Sequence, residues 1–289
     1  MELSVWDAAA VCAKAMTYAA TLGAAGAIYF LAYSATLLQE PQRRHIRRLI
    51  GTLLLVSAFL SCVRVALSSA SMSGDAAGMF DSGFVGMILG AGEGRAISIR
   101  IAGLCLAGAA VLSIEGRILR LAFIGAVIAP LSFASVGHVH ALPGALPTLL
   151  ICVHLLCASF WLGALAPLLI VARGSDSQFA AIAVRFGKIA LGLVALLLSA
   201  GAALLWALIR DAALFWSSGY GELMVLKLLG VAALLGIAGV NKVYLTPRLL
   251  QGHANAVRRF RLSIRIEMVV GTLILLLTAA FTTVTGPPH

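Results

Sequence analysis

The chain has 289 residues, 61% of them hydrophobic and 11% charged, and a mean hydropathy of +1.03. A soluble domain of this size carries roughly twice that charged fraction, so the composition excludes a soluble globular protein and indicates an integral membrane protein. The net charge of +10 would suggest nucleic acid in a soluble chain. Here its distribution matters more, because basic loops set the orientation of membrane helices.

The N-terminus, MELSVWDAAAVCAKAM, starts acidic. It lacks the basic stretch of a cleaved signal peptide, so the first helix is expected to be retained. Eight apolar stretches then follow, at about 15–38, 48–70, 95–114, 119–141, 146–171, 187–209, 222–245 and 266–285. Each reaches the roughly 20 residues that a bilayer crossing takes. The expected fold is all-α, a polytopic bundle of eight transmembrane helices, with one membrane domain over 1–289. The connection over 71–94, SMSGDAAGMFDSGFVGMILGAGEG, holds a short apolar run, Phe84 to Leu89. That run is too short to span, and a re-entrant or interfacial segment is expected there.

Charge orients the bundle. One set of loops carries 15 of the 21 basic residues, from Arg43, Arg44, Arg47 and Arg48 through to Arg258, Arg259, Arg261 and Arg265. The opposite side holds Lys14, Arg64, Arg95, Arg100, Arg210 and Lys227, with most of the acids. The positive-inside rule makes the first set cytoplasmic and puts both termini outside.

On that assignment His138 and His140 stand at the outer end of the fourth span. His154 lies eight residues into the fifth, roughly 12 Å down its axis. Two imidazoles at one depth on adjoining helices can hold copper, zinc or haem iron. A lone membrane histidine is more often structural. His138 and His140 cannot share one helix face; His138 is the preferred partner for His154, and His140 a capture ligand. Cys157 and Trp161 follow His154 at three and seven residues, on the same face, whereas Cys152 points elsewhere. Cys157 reads either as a soft Cu(I) ligand or as a small packing residue. The five cysteines are odd in number and without a CxxC, so no disulfide framework is expected. Met72, Met79 and Met87 could capture Cu(I) through thioethers or could simply fill gaps. Arg64, Arg100 and Lys227 could snorkel to headgroups, pair with Glu93, Asp81 or Glu222, or hold an anion or repel a metal. Glu267 is expected to pair with nearby Arg265.

VGHVHA, followed by VHLLCASFWLGAL, resembles the copper-resistance D (CopD) family of bacterial inner-membrane proteins. That family has a Gly-His-Ala-like element ending one helix and a His-Leu-Leu-Ala-Ala-x-Trp-x-Gly-Gly-Leu-like element on the next. Gly219 to Leu249 resembles its Tyr-Gly…Lys…Asn-Arg…Pro-Arg pattern, and RRFRLSIRIEMVVG places Glu267 at the family's glutamate. GEGRAISIR resembles the start of its third helix. The likeness implies copper movement from the periplasm across the inner membrane, with the family's histidines falling on His138 and His154. It also implies a separate CopC-like periplasmic copper-binding donor, since no segment of domain length lies outside the helices. His-Val-His departs from the family's His-Ala and leaves the role of His140 open.

The expected function is therefore copper transport or handling through an outer-leaflet histidine site, in a protein that is not an enzyme. No nucleotide motif is present, which argues against ATP-driven pumping. The alternative is a haem-binding redox protein with His138 and His154 as axial ligands. A third reading is a partner that binds copper without moving it.

Overall fold

A computed structural model describes residues 5–113, 115–137, 139, 142–209, 215 and 218–283. Among the described residues eight helices are long and apolar enough to cross a membrane, spanning Val5–Leu37, Glu40–Ser73, Gly92–Leu112, Gly116–Ser135, Ala145–Val171, Asp176–Leu208, Gly219–Leu250 and Ala256–Phe281. Among the described residues there is no strand. The chain is a polytopic all-α membrane protein.

In chain order the helices are α1 (Val5–Ser34), α2 (Glu40–Ser73), α3 (Ser82–Gly90), α4 (Gly92–Ala107), α5 (Ala109–Leu112) and α6 (Gly116–Leu131). They continue as α7 (Ala145–Val171), α8 (Asp176–Leu208), α9 (Gly219–Val240), a π-helical turn at Asn241–Leu245, α10 (Thr246–Leu250) and α11 (Ala256–Phe281). An even number of crossings returns α11 to the end where α1 begins. Lys14 Nζ accordingly donates to Thr282 O at 3.0 Å.

α1 is the central helix and packs against α2, α6, α7 and α11. α4 packs on α6, α8 on α7, and α9 on α11. In lipid the hydrophobic effect does not separate helix from tail, so close packing of small residues holds such a bundle together. α1 is rich in alanine, and Ala24, Ala25 and Ala27 are buried. Gly103 and Gly125 do the same for α4 and α6, where an added Cβ would meet backbone of the facing helix within 2.5 Å. Large apolar side chains such as Leu55, Phe59 and Leu229 face outward, as lipid-facing residues should.

Several expected boundaries shift. α2 has 34 residues, about 50 Å of helix against a hydrocarbon core of about 30 Å. Arg43, Arg44, Arg47 and Arg48 therefore sit on its first turns and not in a loop. Arg258, Arg259, Arg261 and Arg265 likewise lie on α11. Arginine is a good helix former, and its long stem lets the charge reach water from a helix end. Arg47 also closes the α5 terminus, donating to Leu112 O at 2.7 Å.

At the other end, the fourth span stops earlier than 141. α6 contains Pro130 and ends at Leu131, followed by a 3₁₀ turn over Ser132–Ser135. Gly137 then takes a φ of +92°, a left-handed conformation that suits glycine. The connection over 71–94 folds as a 3₁₀ turn, Ala77–Phe80, and the nine-residue α3. Asp81 caps α3, accepting from Gly83 N at 2.9 Å and Phe84 N at 3.0 Å. Phe80, Met87 and Leu89 are exposed and Ile88 is buried.

Candidate metal site

His154 stands nine residues from the start of α7, about 14 Å along it. Its half-buried ring lies against α8, with Nδ1 3.3 Å from Leu197 O. Gly201, one turn on, makes the room: a Cβ there would be 3.3 Å from the imidazole Cε1 and Nδ1. A proton on Nδ1 donated to that carbonyl leaves Nε2 with a bare lone pair, the tautomer that metal-binding histidines adopt.

The same face of α7 continues toward the basic end. Cys157 is buried at 5% exposure and Trp161 at 4%. Cys152 is partly exposed. Trp161 packs with Leu234 of α9 and Ile274 of α11. Lys227 of α9 lies within electrostatic range of His154. Its ammonium is 5.1 Å from the centre of the Phe281 ring.

Below Trp161 the structure corrects the expected Glu267–Arg265 pair. Arg265 is exposed, and Glu267 points the other way, into the bundle, at 3% exposure. Two residues along a helix is about 200° of turn, so neighbours at that spacing face apart. The Glu267 carboxyl accepts from Asn241 Nδ2 and from the side chain of Trp161. Asn241 opens the π-helical turn that ends the apolar part of the seventh span. Asn241 is the asparagine of the family-like pattern in Gly219 to Leu249, but its pairing with Glu267 was not legible there. The signal lay there all the same, as an amide at the end of an otherwise apolar run.

A second polar cluster lies on the other side of α1. Arg64 and Glu93 form a salt bridge at 2.6 Å. Arg100 does not snorkel: it is fully buried, with Nε donating to Ser132 Oγ at 3.1 Å and Nη1 to Ser61 Oγ at 3.2 Å. Its guanidinium carbon sits 4.3 Å from the centre of the Phe133 ring, a cation–π contact. A guanidinium held midway between helices by hydroxyls and an aromatic face has no need to reach headgroups. With Lys14, this region holds three cations and one carboxylate.

Met72 and Met87 are exposed at the α2 end and on α3, and Met79 is half-buried in the 3₁₀ turn between them. His138 and His140 lie outside the described residues. Among the described residues no group of three or more His, Cys, Asp and Glu comes together as a metal site. Haem would need a second imidazole and space for a macrocycle. Among the described residues His154 supplies one imidazole, and its expected axial partner, His138, lies outside them.

The fold and these buried ionisable groups define a polytopic helical membrane protein with polar sites between its helices. The chain belongs to the copper resistance protein D family. Residues 180–281 match the family described as Copper resistance protein D. Residues 5–148 match the Copper resistance protein D-like, N-terminal domain. No curated protein and no solved structure matches the chain. Family membership assigns the protein to copper resistance or copper handling. Lys227, Asn241 and Glu267 fall within the second matched segment and Arg64, Glu93 and Arg100 within the first, whereas His154, Cys157 and Trp161 lie between the two.

Proposed function

We propose that the chain moves copper from the periplasm toward the cytoplasm across the bacterial inner membrane, with its basic end cytoplasmic. Copper is the cargo, received from a periplasmic CopC-like donor by His154 and the histidines of the preceding turn, His138 and His140. Cys157 is the adjacent soft ligand, and Met72, Met79 and Met87 are capture ligands nearer the surface. The observation that carries this reading is the orientation of His154, whose Nδ1 is tied to Leu197 O while Nε2 is left bare.

The route inward follows α7 on the side of Cys157 and Trp161. The opposite side is disfavoured for a cation, because Lys14, Arg64 and Arg100 outnumber Glu93 there. No step requires a nucleotide, and the protein acts as a carrier and not as an enzyme. Copper uptake into proteoliposomes, with and without a reductant, tests this directly. Uptake that is lost in His154→Ala supports it, and uptake equal to that of empty vesicles refutes it. Reporter fusions after Pro41, Gly174 and Gly252 should read cytoplasmic, and a periplasmic reading at these positions would reverse the direction.

A further inference from the structure

Toward the basic end, a cavity of about 360 Å³ opens between α7, α8, α9 and α11. Its walls are apolar, with Leu165, Phe186, Leu235 and Ile264 among them. At its inner wall stand Trp161, Asn241 and Glu267, and at its mouth Lys242, Val243 and Thr246. Lys242 and Val243 are exposed, as is Leu191 on the same lining, so the cavity opens from the buried carboxyl to the outside of the bundle beside Lys242.

Three features of this place go together. A carboxyl among apolar walls has no salt-bridge partner: among the described residues the two salt bridges are Arg44–Glu40 and Arg64–Glu93. Asn241 donates to Glu267, yet its own Oδ1 is buried with no hydrogen-bond partner. Asn241 also begins a π-helical turn, an irregularity often kept at functional sites. Buried acceptors without donors are rare, and an orphaned one beside a carboxyl points to a proton.

We propose that Glu267 and Asn241 form a proton-binding site, loaded and emptied through this cavity from the basic end of the bundle. In the ionised state Asn241 Nδ2 donates to the carboxylate, as observed. A proton arriving from hydronium at the mouth bonds to a carboxylate oxygen and leaves water behind. The new O–H then needs an acceptor. Rotating the Asn241 amide by half a turn presents Oδ1 to it, at little torsional cost because that torsion is broad and two-fold. Trp161 also donates to the carboxyl. Intramembrane carboxyls commonly act as such relays.

The groups facing Glu267 are Trp161 from α7 and Asn241 and Lys242 from the π-helical turn. α8 contributes apolar wall, since Arg185 and Lys188 are exposed, as is Arg265 on α11. Lys242 at the mouth is the one charged side chain besides Glu267 on the described cavity lining.

The proposal does not depend on the copper route, and its test is made without copper. Infrared difference spectra of the full chain in lipid, recorded between about pH 4 and 10, should show a protonated-carboxyl carbonyl band that grows as pH falls. The band should shift in D₂O, disappear in Glu267→Gln and move in Asn241→Leu. Heavy-carbon labelling of glutamate should shift it in the unmutated protein, so the assignment survives if a variant fails to fold. Gly187→Phe should fill the mouth and slow deuterium exchange of that band by about tenfold while leaving the band in place. Its Cβ would be in ordinary contact with the Lys242 amine, at 3.6 Å. A titrating band unchanged by Glu267→Gln overturns the proposal. So do the absence of any glutamate-labelled carbonyl band over this range and an exchange rate indifferent to Gly187→Phe.

Discussion

Gly26 of α1 and Gly163 of α7 cross with their backbones in contact. A Cβ built on Gly26 would lie 2.0 Å from Ser159 O and 2.6 Å from Gly163 Cα. One built on Gly163 would lie 2.6 Å from Leu22 O. The crossing fixes α7 against the central helix, and so sets the position of His154, whose ring faces α8 on another side of α7. The absence of two side chains is thus a condition for the position of the candidate site.

Widening this crossing should destabilise the bundle. Gly26→Leu or Gly163→Leu is expected to cost about 2–3 kcal/mol, because overpacking against backbone cannot be relieved by a rotamer change. The two changes together should cost less than their sum, since once the helices have parted the second side chain meets less resistance. Unfolding in mixed detergent micelles measures this, and a Gly163→Leu protein as stable as the original would show that the helices cross elsewhere.

The Arg64–Glu93 pair makes a second energetic prediction. Their side chains are 12% and 26% exposed, so each is largely removed from solvent. Arg64→Ala alone should cost about 3 kcal/mol by leaving a carboxylate without its cation. Arg64→Ala with Glu93→Ala should recover part of that loss, because the carboxylate that lost its ion-pair partner is then gone, while Lys14 and Arg100 remain. Additive single costs in the double-mutant cycle would mean that the two groups do not interact.

Copper binding separates the histidines. His154→Ala should weaken copper binding by at least about tenfold, since even changes to groups supporting a ligand cost 10–100-fold. His140→Ala should cost less if it acts only in capture. Isothermal titration with copper decides between them, and equal small losses at both positions would make His154 a packing residue on α8.

Cys157 and Cys152 provide the finest discrimination. Cys157 is buried beside His154 on the inward face, and Cys152 is partly exposed. If thiolate joins imidazole, Cys157→Ser should weaken Cu(I) binding and leave Cu(II) less affected. Cys152→Ser should alter neither. Competition with a Cu(I) chelator gives the comparison, and sensitivity confined to Cys152 would place the metal on the other face of α7.

How much of this was legible beforehand depends on the kind of constraint. The eight spans follow from hydropathy and length alone, because bilayer thickness acts on each segment separately and needs no knowledge of its neighbours. That Phe84 to Leu89 does not cross follows for the same reason, the run being too short. Helix ends were less legible. The helical hydrogen-bond ladder does not stop where apolar residues stop, so α2 carries its arginines and α6 ends before His138.

Partners were decided by the tertiary structure. Glu267 stands two positions from Arg265 in the chain, yet it bonds Asn241, 26 residues away, and Trp161 on another helix. Arg100 could have reached headgroups on its own stem but meets Ser61 and Ser132 from two other spans. Composition determines that charges within a membrane must find company, because hydrocarbon cannot solvate them. Which company each one finds depends on where the helices cross, and that was set by backbone contacts such as Gly26 on Gly163.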